Sequence, residues 1–194
     1  MNDIPNFDPH NMLPWIAMMA RMHAPAHIAA ALTGTPLDLV LEIYESVDIS
    51  PRIQLQQGNT NPDWFIGNAT RSYHGAVIAS FFSQVKDKYP GAVACAIAHA
   101  YNYYSRLVCG SRDDDGINVL DDDGNDANSV IPFSKAVDLL EYIFDIGQNP
   151  DTPALSVSKC STCGALFISN YVTTNADKSC RLCRQGVSVQ MVKE

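Results

Sequence analysis

Four of the six cysteines stand as two C-x2-C pairs, Cys160 with Cys163 and Cys180 with Cys183, separated by sixteen residues. A C-x2-C turn lets two thiolates converge on one ion with backbone N–H groups facing the sulfurs. Two such turns 15–20 residues apart complete a tetrahedral site. The expected cofactor is one structural Zn2+ per chain, with iron in the same cage as the minor alternative. Four thiolates fill every position of a tetrahedral zinc, whereas a catalytic zinc keeps one position open for water. The site is therefore expected to be a structural clamp. A redox switch is the alternative reading, since C-x2-C thiolates can oxidise and release metal.

A segment this short has little core of its own, so the metal should stabilise it directly. It would fix the loop "NYVTTNADKS" and present Lys159, Lys178, Arg181 and Arg184 beside the cysteines. Cations at fixed positions suit phosphate contacts. The plainer reading is that they offset the formal −2 charge of a metal held by four thiolates. The charge distribution bears on this choice. The chain carries a formal net charge of −8, yet residues 1–158 hold 8 Lys and Arg against 19 Asp and Glu, while residues 159–194 hold 5 against 2. The cysteine segment is a basic island on an acidic body, which points to a polyanionic partner.

The elements that must position this module read as helices. With 46 % hydrophobic residues the chain can bury a core. Leu13, Ile16, Ala17 and Ala20 follow helical spacing. Pro25 suits the first turn of a second helix that should end at Gly34. Thr35 and Pro36 then read as N-cap and first helical residue. The third helix would place Leu37, Val40, Leu41, Tyr44 and Val47 on one face. The pair of helices around "ALTGTP" forms a helix-turn-helix-like unit, at about 24–47, that needs a small residue such as Ala29 or Ala30 and a turn glycine. Its third helix exposes Asp38, Glu42 and Glu45, which phosphates repel, so a packing or dimer-forming corner is expected rather than a base reader.

"DWFIGNATRSYHGAVIASFFSQVKDKY" reads as one long helix, with Trp64, Phe65, Val77, Ile78, Phe81 and Val85 in the core. "AVACAIAHAYNYYSRLVC" reads as an Ala-rich helix in which Cys95 and Cys109 are buried thiols. Residues 110–130 form an acidic loop. It fails as a calcium loop: starting from Asp121, Asp123 and Asn125 fit, but Asp126 stands where glycine is needed and Pro132 where glutamate is needed. "IPFSKAVDLLEYIFDIG" is a further helix with Phe133, Val137, Leu140 and Phe144 inward. Two units follow: residues 1–150, a helical partner-binding body, and residues 151–194, a zinc-binding module that contacts DNA. No apolar run reaches the ~18 residues of a membrane span. "MNDIPNFDPH" lacks the basic start of a secretory signal, and a cytoplasmic location is expected.

Several stretches, in order over roughly residues 17–186, resemble the FlhC family, the FlhC-type subunits of the flagellar master transcriptional activator and the FlhC-like activators of conjugative elements. They are "TGTPLDLVLEIYESV", "PDWF" at 62–65, "CSTCGALFISN" and "SCRLC" with the sixteen-residue gap. The resemblance implies a mainly α fold with a C-terminal zinc-ribbon-like region. It implies a hetero-oligomer with an FlhD-like small helical protein, four of those with two of these. It further implies binding to promoter DNA and recruitment of RNA polymerase, at flagellar and motility genes or a related regulon. Of the family's functional residues only the four cysteines carry over; Lys159, Lys178, Arg181 and Arg184 come from charge and position in this chain. Apolar surface around Trp15, Tyr103 and Tyr104 is the expected partner contact. The rival readings are a zinc-ribbon adapter that binds protein alone, and a thiol redox sensor. An enzyme is not expected, because the chain has neither a Gly-rich nucleotide loop nor a His-x3-His pair.

Overall fold

The computed structural model describes residues 8, 11–50, 60–109, 130–144, 146, 155–170 and 178–186. The fold is mainly helical, with one small two-stranded sheet. The acidic loop (110–129), the connection at 51–59, most of the segment joining body to cysteine module and the loop at 171–177 lie outside the described residues. Among the described residues no helix is long and apolar enough to cross a membrane.

Three helices open the chain: α1 (Leu13–Arg21), α2 (Ala26–Thr33) and α3 (Leu37–Ser46). The α2–α3 corner is built as the sequence predicts. Gly34 takes a left-handed φ of +66°, which a glycine adopts without strain. Ala29 is fully buried where α3 approaches. Tyr44 pins the corner by donating its hydroxyl to the Ala24 carbonyl at 2.8 Å. Two expectations are corrected. Pro36, not Thr35, occupies the N-cap, with no side-chain cap bond. Leu37 is exposed rather than part of the inner face, because Val40 and Tyr44 alone fill the space against α1 and α2.

The predicted long helix is two helices. Gly67 and Asn68 break it into α4 (Asp63–Ile66) and α5 (Ala69–Val85). The cause is Asn68, whose extended backbone lets its Oδ1 accept the N–H groups of Thr70 and Arg71 at 2.8 and 3.1 Å. An Asx cap of this kind competes successfully with helix continuation. The helix α5 ends in a 3₁₀ turn (Lys86–Lys88) and pairs with α6 (Val93–Cys109), and α7 (Phe133–Phe144) closes the body. The core is filled by Trp15, Ile16, Met19, Phe82, Ile97 and Leu140, with the small residues Ala94, Ala96, Ala98 and Ala100 permitting close approach of α6. Cys95 is buried as expected, and burial pushes its thiol up to about 11. The side chain of Cys109 lies outside the described residues.

Two histidines sit inside this core. His74 Nδ1 is 3.0 Å from the Tyr104 hydroxyl, which also accepts the Ile131 N–H at 2.7 Å. His99 Nδ1 meets the Tyr89 hydroxyl. Burial lowers the pKa of both from 6.5, assisted at His99 by Lys88. Both are neutral in the fold. Below about pH 6.5 the unfolded chain takes up protons that the folded chain refuses, so stability is complete above that pH and falls beneath it. Glu141, raised by burial and Asp138, acts in the opposite sense. The urea midpoint should therefore be lower at pH 5.5 than at pH 7.5, and the drop should shrink in a His74→Gln/His99→Gln variant. A midpoint that climbs on acidification would contradict this account.

The strands β1 (Leu155–Lys159) and β2 (Leu166–Asn170) form an antiparallel hairpin in which Val157 faces Ile168. The hairpin packs on α4, α5 and α7 through Phe65, Ala76, Leu139, Tyr142, Leu155 and Ile168. At the outer edge of β2 the N–H and C=O of Ile168 point away from β1. The Ser72 hydroxyl accepts from that N–H at 2.9 Å and donates to that C=O at 3.1 Å. One helical serine thus takes the place of a third strand at this position and closes an otherwise open edge.

Candidate metal centre

The β1–β2 turn carries the first cysteine pair. The Cys160 N–H donates to the Ala165 carbonyl at 2.8 Å, and the Gly164 N–H donates to the Cys160 carbonyl at 2.9 Å. Gly164 sits at φ +75°, so the tight turn needs a glycine there. The second pair lies on α8 (Arg181–Arg184): Cys180 is its N-cap and Cys183 is within it. Two bonds hold the turns together. The Ser161 N–H donates to the Lys178 carbonyl at 2.9 Å, and the Cys180 N–H donates to Cys160 Sγ at 3.2 Å.

All four Sγ atoms lie within 4.8 Å of one another. A tetrahedron with metal–sulfur bonds of about 2.3 Å has edges of about 3.8 Å. Cys163 Sγ and Cys180 Sγ are 3.8 Å apart. Donor set and spacing therefore fit a tetrahedral ion, and the four cysteines of the sequence motif come together as one site that can bind a metal. Cys160 and Cys180 are buried with Phe167, while Cys163 and Cys183 are half-buried.

The thiols are electrostatically unequal. Burial would raise Cys160, but the N–H groups of Cys180, Cys163 and Thr162 together with the Cys163 thiol bring it down to about 6. At Cys163 the Ala165 N–H lowers the pKa, yet burial and the neighbouring thiols outweigh it and the net shift is upward. Cys183 is pushed up to about 12, first by burial and then by the three other sulfurs. Four sulfurs this close cannot all ionise unaided. A bound cation is what makes four thiolates compatible at neutral pH.

Lys159, Lys178, Arg181 and Arg184 are all exposed around this cluster. The expected partner surface is only partly present. Trp15 and Tyr104 are fully buried, packed respectively against Tyr89 and Tyr101, because their rings fill the centre of the body. Only Tyr103 of the three is exposed, stacked between Phe81 and His99. The sequence reading missed Ser72 and Gly75, which join body and module. A Cβ on Gly75 would stand 3.0 Å from Leu139 Cδ2 and 3.1 Å from Ile168 Cγ1. The signal was present as a glycine inside an otherwise strong helical pattern, which often marks close packing.

No protein-family model and no curated protein sequence matches the chain. The likeness to FlhC-type subunits stands on the motifs quoted above.

Proposed function

We propose that this chain is a DNA-binding subunit of a transcriptional activator, with one structural Zn2+ held by Cys160, Cys163, Cys180 and Cys183. The observation that carries the reading is the closed four-sulfur cluster with Lys159, Lys178, Arg181 and Arg184 exposed around it. Zinc suits this donor set, since four thiolates at tetrahedral spacing are its common structural cage. The cations would contact phosphates, and the helical body would hold an FlhD-like helical partner. Duplication in a hetero-oligomer, a hexamer in the FlhC family, would multiply the few phosphate contacts one acidic chain can offer. Promoter binding and recruitment of RNA polymerase at flagellar genes or a related regulon follow from the family likeness. The exposed carboxylates Asp38, Glu42 and Glu45 on α3 support a packing role for the helix-turn-helix-like corner.

DNA retention by the chain with its partner, over a salt series, tests this. Each phosphate contact contributes about 0.9 to the slope of log affinity against log salt. A Lys178→Ala/Arg181→Ala/Arg184→Ala variant should lower that slope by about 3 and weaken retention uniformly across sequences. If the metal-loaded complex retains no DNA, or the triple variant keeps the full slope, the basic island serves a protein ligand and the chain is an adapter.

A further inference from the structure

We propose that Arg71, with Trp64 and Lys135, forms a binding site for a phosphate-type oxyanion, separate from the cysteine cluster and independent of the DNA-binding reading. Arg71 lies in the first turns of α5 and is only 8 % exposed. Its Nε is a buried donor without a hydrogen-bond partner, and no described residue accepts from its guanidinium or forms an ion pair with it. A buried guanidinium normally faces a carboxylate, because removing its hydration without a counter-charge is strongly unfavourable. Here its Cζ lies 4.2 Å from the centre of the Trp64 ring. The Lys135 ammonium lies 4.1 Å from the same ring.

The indole supplies a face for both cations, and this is attractive when they are desolvated. A ring face accepts none of the five guanidinium N–H donors as an oxygen would. The carboxylate one turn along α7 from Lys135 is Asp138, and its Oδ2 accepts the Thr60 N–H at 2.9 Å. A chain with 21 Asp and Glu has thus placed none of the described ones against its most buried arginine. What is missing is an acceptor from outside. The planar fork of an arginine matches two oxygens of one oxyanion, and a lysine beside it adds a point charge. Two positive charges over one indole favour a doubly charged tetrahedral group over a single carboxylate.

Trp64 reports on the site directly. The chain has two tryptophans, and the other, Trp15, is sealed in the core. Inorganic phosphate, titrated against the full chain at constant ionic strength with chloride as the counterweight, should change tryptophan emission saturably. It should also raise the thermal midpoint in proportion to the logarithm of phosphate concentration. Trp64→Phe should remove the emission change. Arg71→Met should abolish both responses, and Arg71→Lys should weaken binding at least about tenfold, because the charge remains but the fork is lost. If Arg71→Met fails to fold, the wild-type and Arg71→Lys titrations decide. No phosphate-specific response in the wild type, or an Arg71→Lys response equal to the wild type, would overturn the site. A short DNA duplex that displaces phosphate would assign the site to backbone phosphodiesters; a duplex that does not would assign it to a free phosphate or phosphorylated small molecule. Both of those outcomes keep the oxyanion site.

Discussion

Removing the metal, or replacing Cys160 with Ser, should dissolve the outer half of the C-terminal module and leave the helical body folded. Structural zinc in small fingers contributes roughly 10–16 kcal/mol of apparent binding free energy at neutral pH. Apart from the cysteines, the cluster at the module tip holds Phe167 as its one buried apolar side chain. Nothing else there offsets the conformational entropy of the two cysteine turns and α8. The body differs. Its core of α1–α3, α5, α6 and α7 contains none of the four cysteines. The near half of the hairpin should also persist, because Leu155 and Ile168 pack on the body and Ser72 holds the β2 edge. Hydrogen exchange before and after chelation measures this. Protection should vanish at Cys160, Gly164 and Arg184, whose N–H bonds define the two turns, and survive at Ile168 and through α5 and α6. Unchanged protection at the cysteine turns, or loss of protection throughout the body, would show that the metal does not act as a local clamp. Metal content should fall from one per chain to none in Cys160→Ser, since three thiolates leave an incomplete cage.

The second large effect lies where α5 meets β2. Ser72→Ala removes the hydroxyl that satisfies both the N–H and the C=O of Ile168. A buried polar group left unpaired costs about 1–3 kcal/mol, and two are exposed to that loss here. Gly75→Val acts on the same contact by volume. The added atoms would enter space already held by Leu139 and Ile168, and overpacking of this kind costs about 1–3 kcal/mol. Gly75→Ala is the informative control. The gain in helix propensity, about 1 kcal/mol, opposes a displacement of a few tenths of an ångström, so its net effect should be small. Because Ser72 and Gly75 share Ile168, their substitutions should combine non-additively in urea unfolding. A Ser72→Ala variant within about 0.5 kcal/mol of the wild type would show that water replaces the hydroxyl at that edge. In the destabilised variants the hairpin should loosen from α5 while the four cysteines still hold metal, which would separate docking from metal binding.

The cysteine cluster was legible in the sequence because its information is local. A C-x2-C turn sets the approach of two sulfurs whatever the rest of the chain does, and the sixteen-residue gap is enough to bring the second pair round. The α2–α3 corner was legible for the same reason: Gly34 needs its left-handed φ and Ala29 needs its small side chain within a few residues of each other. Helical periodicity likewise marked Val40 and Tyr44 as inward. Other features depended on partners distant in the chain. Ser72 looks like an ordinary helical residue until Ile168, ninety-six positions later, brings an open strand edge beside it. Trp15 and Tyr104 look like surface aromatics for a partner, yet the body closes over both, because a core of many alanines needs large rings to fill it. Asn68 broke a helix that periodicity alone would have continued, by offering its own side chain to two amides. The sequence by itself determined that a four-thiol site exists and that helices carry it. Tertiary structure alone decided how that site is anchored and which polar groups are left facing one another, because burial and pairing belong to residues that meet only after the chain has folded.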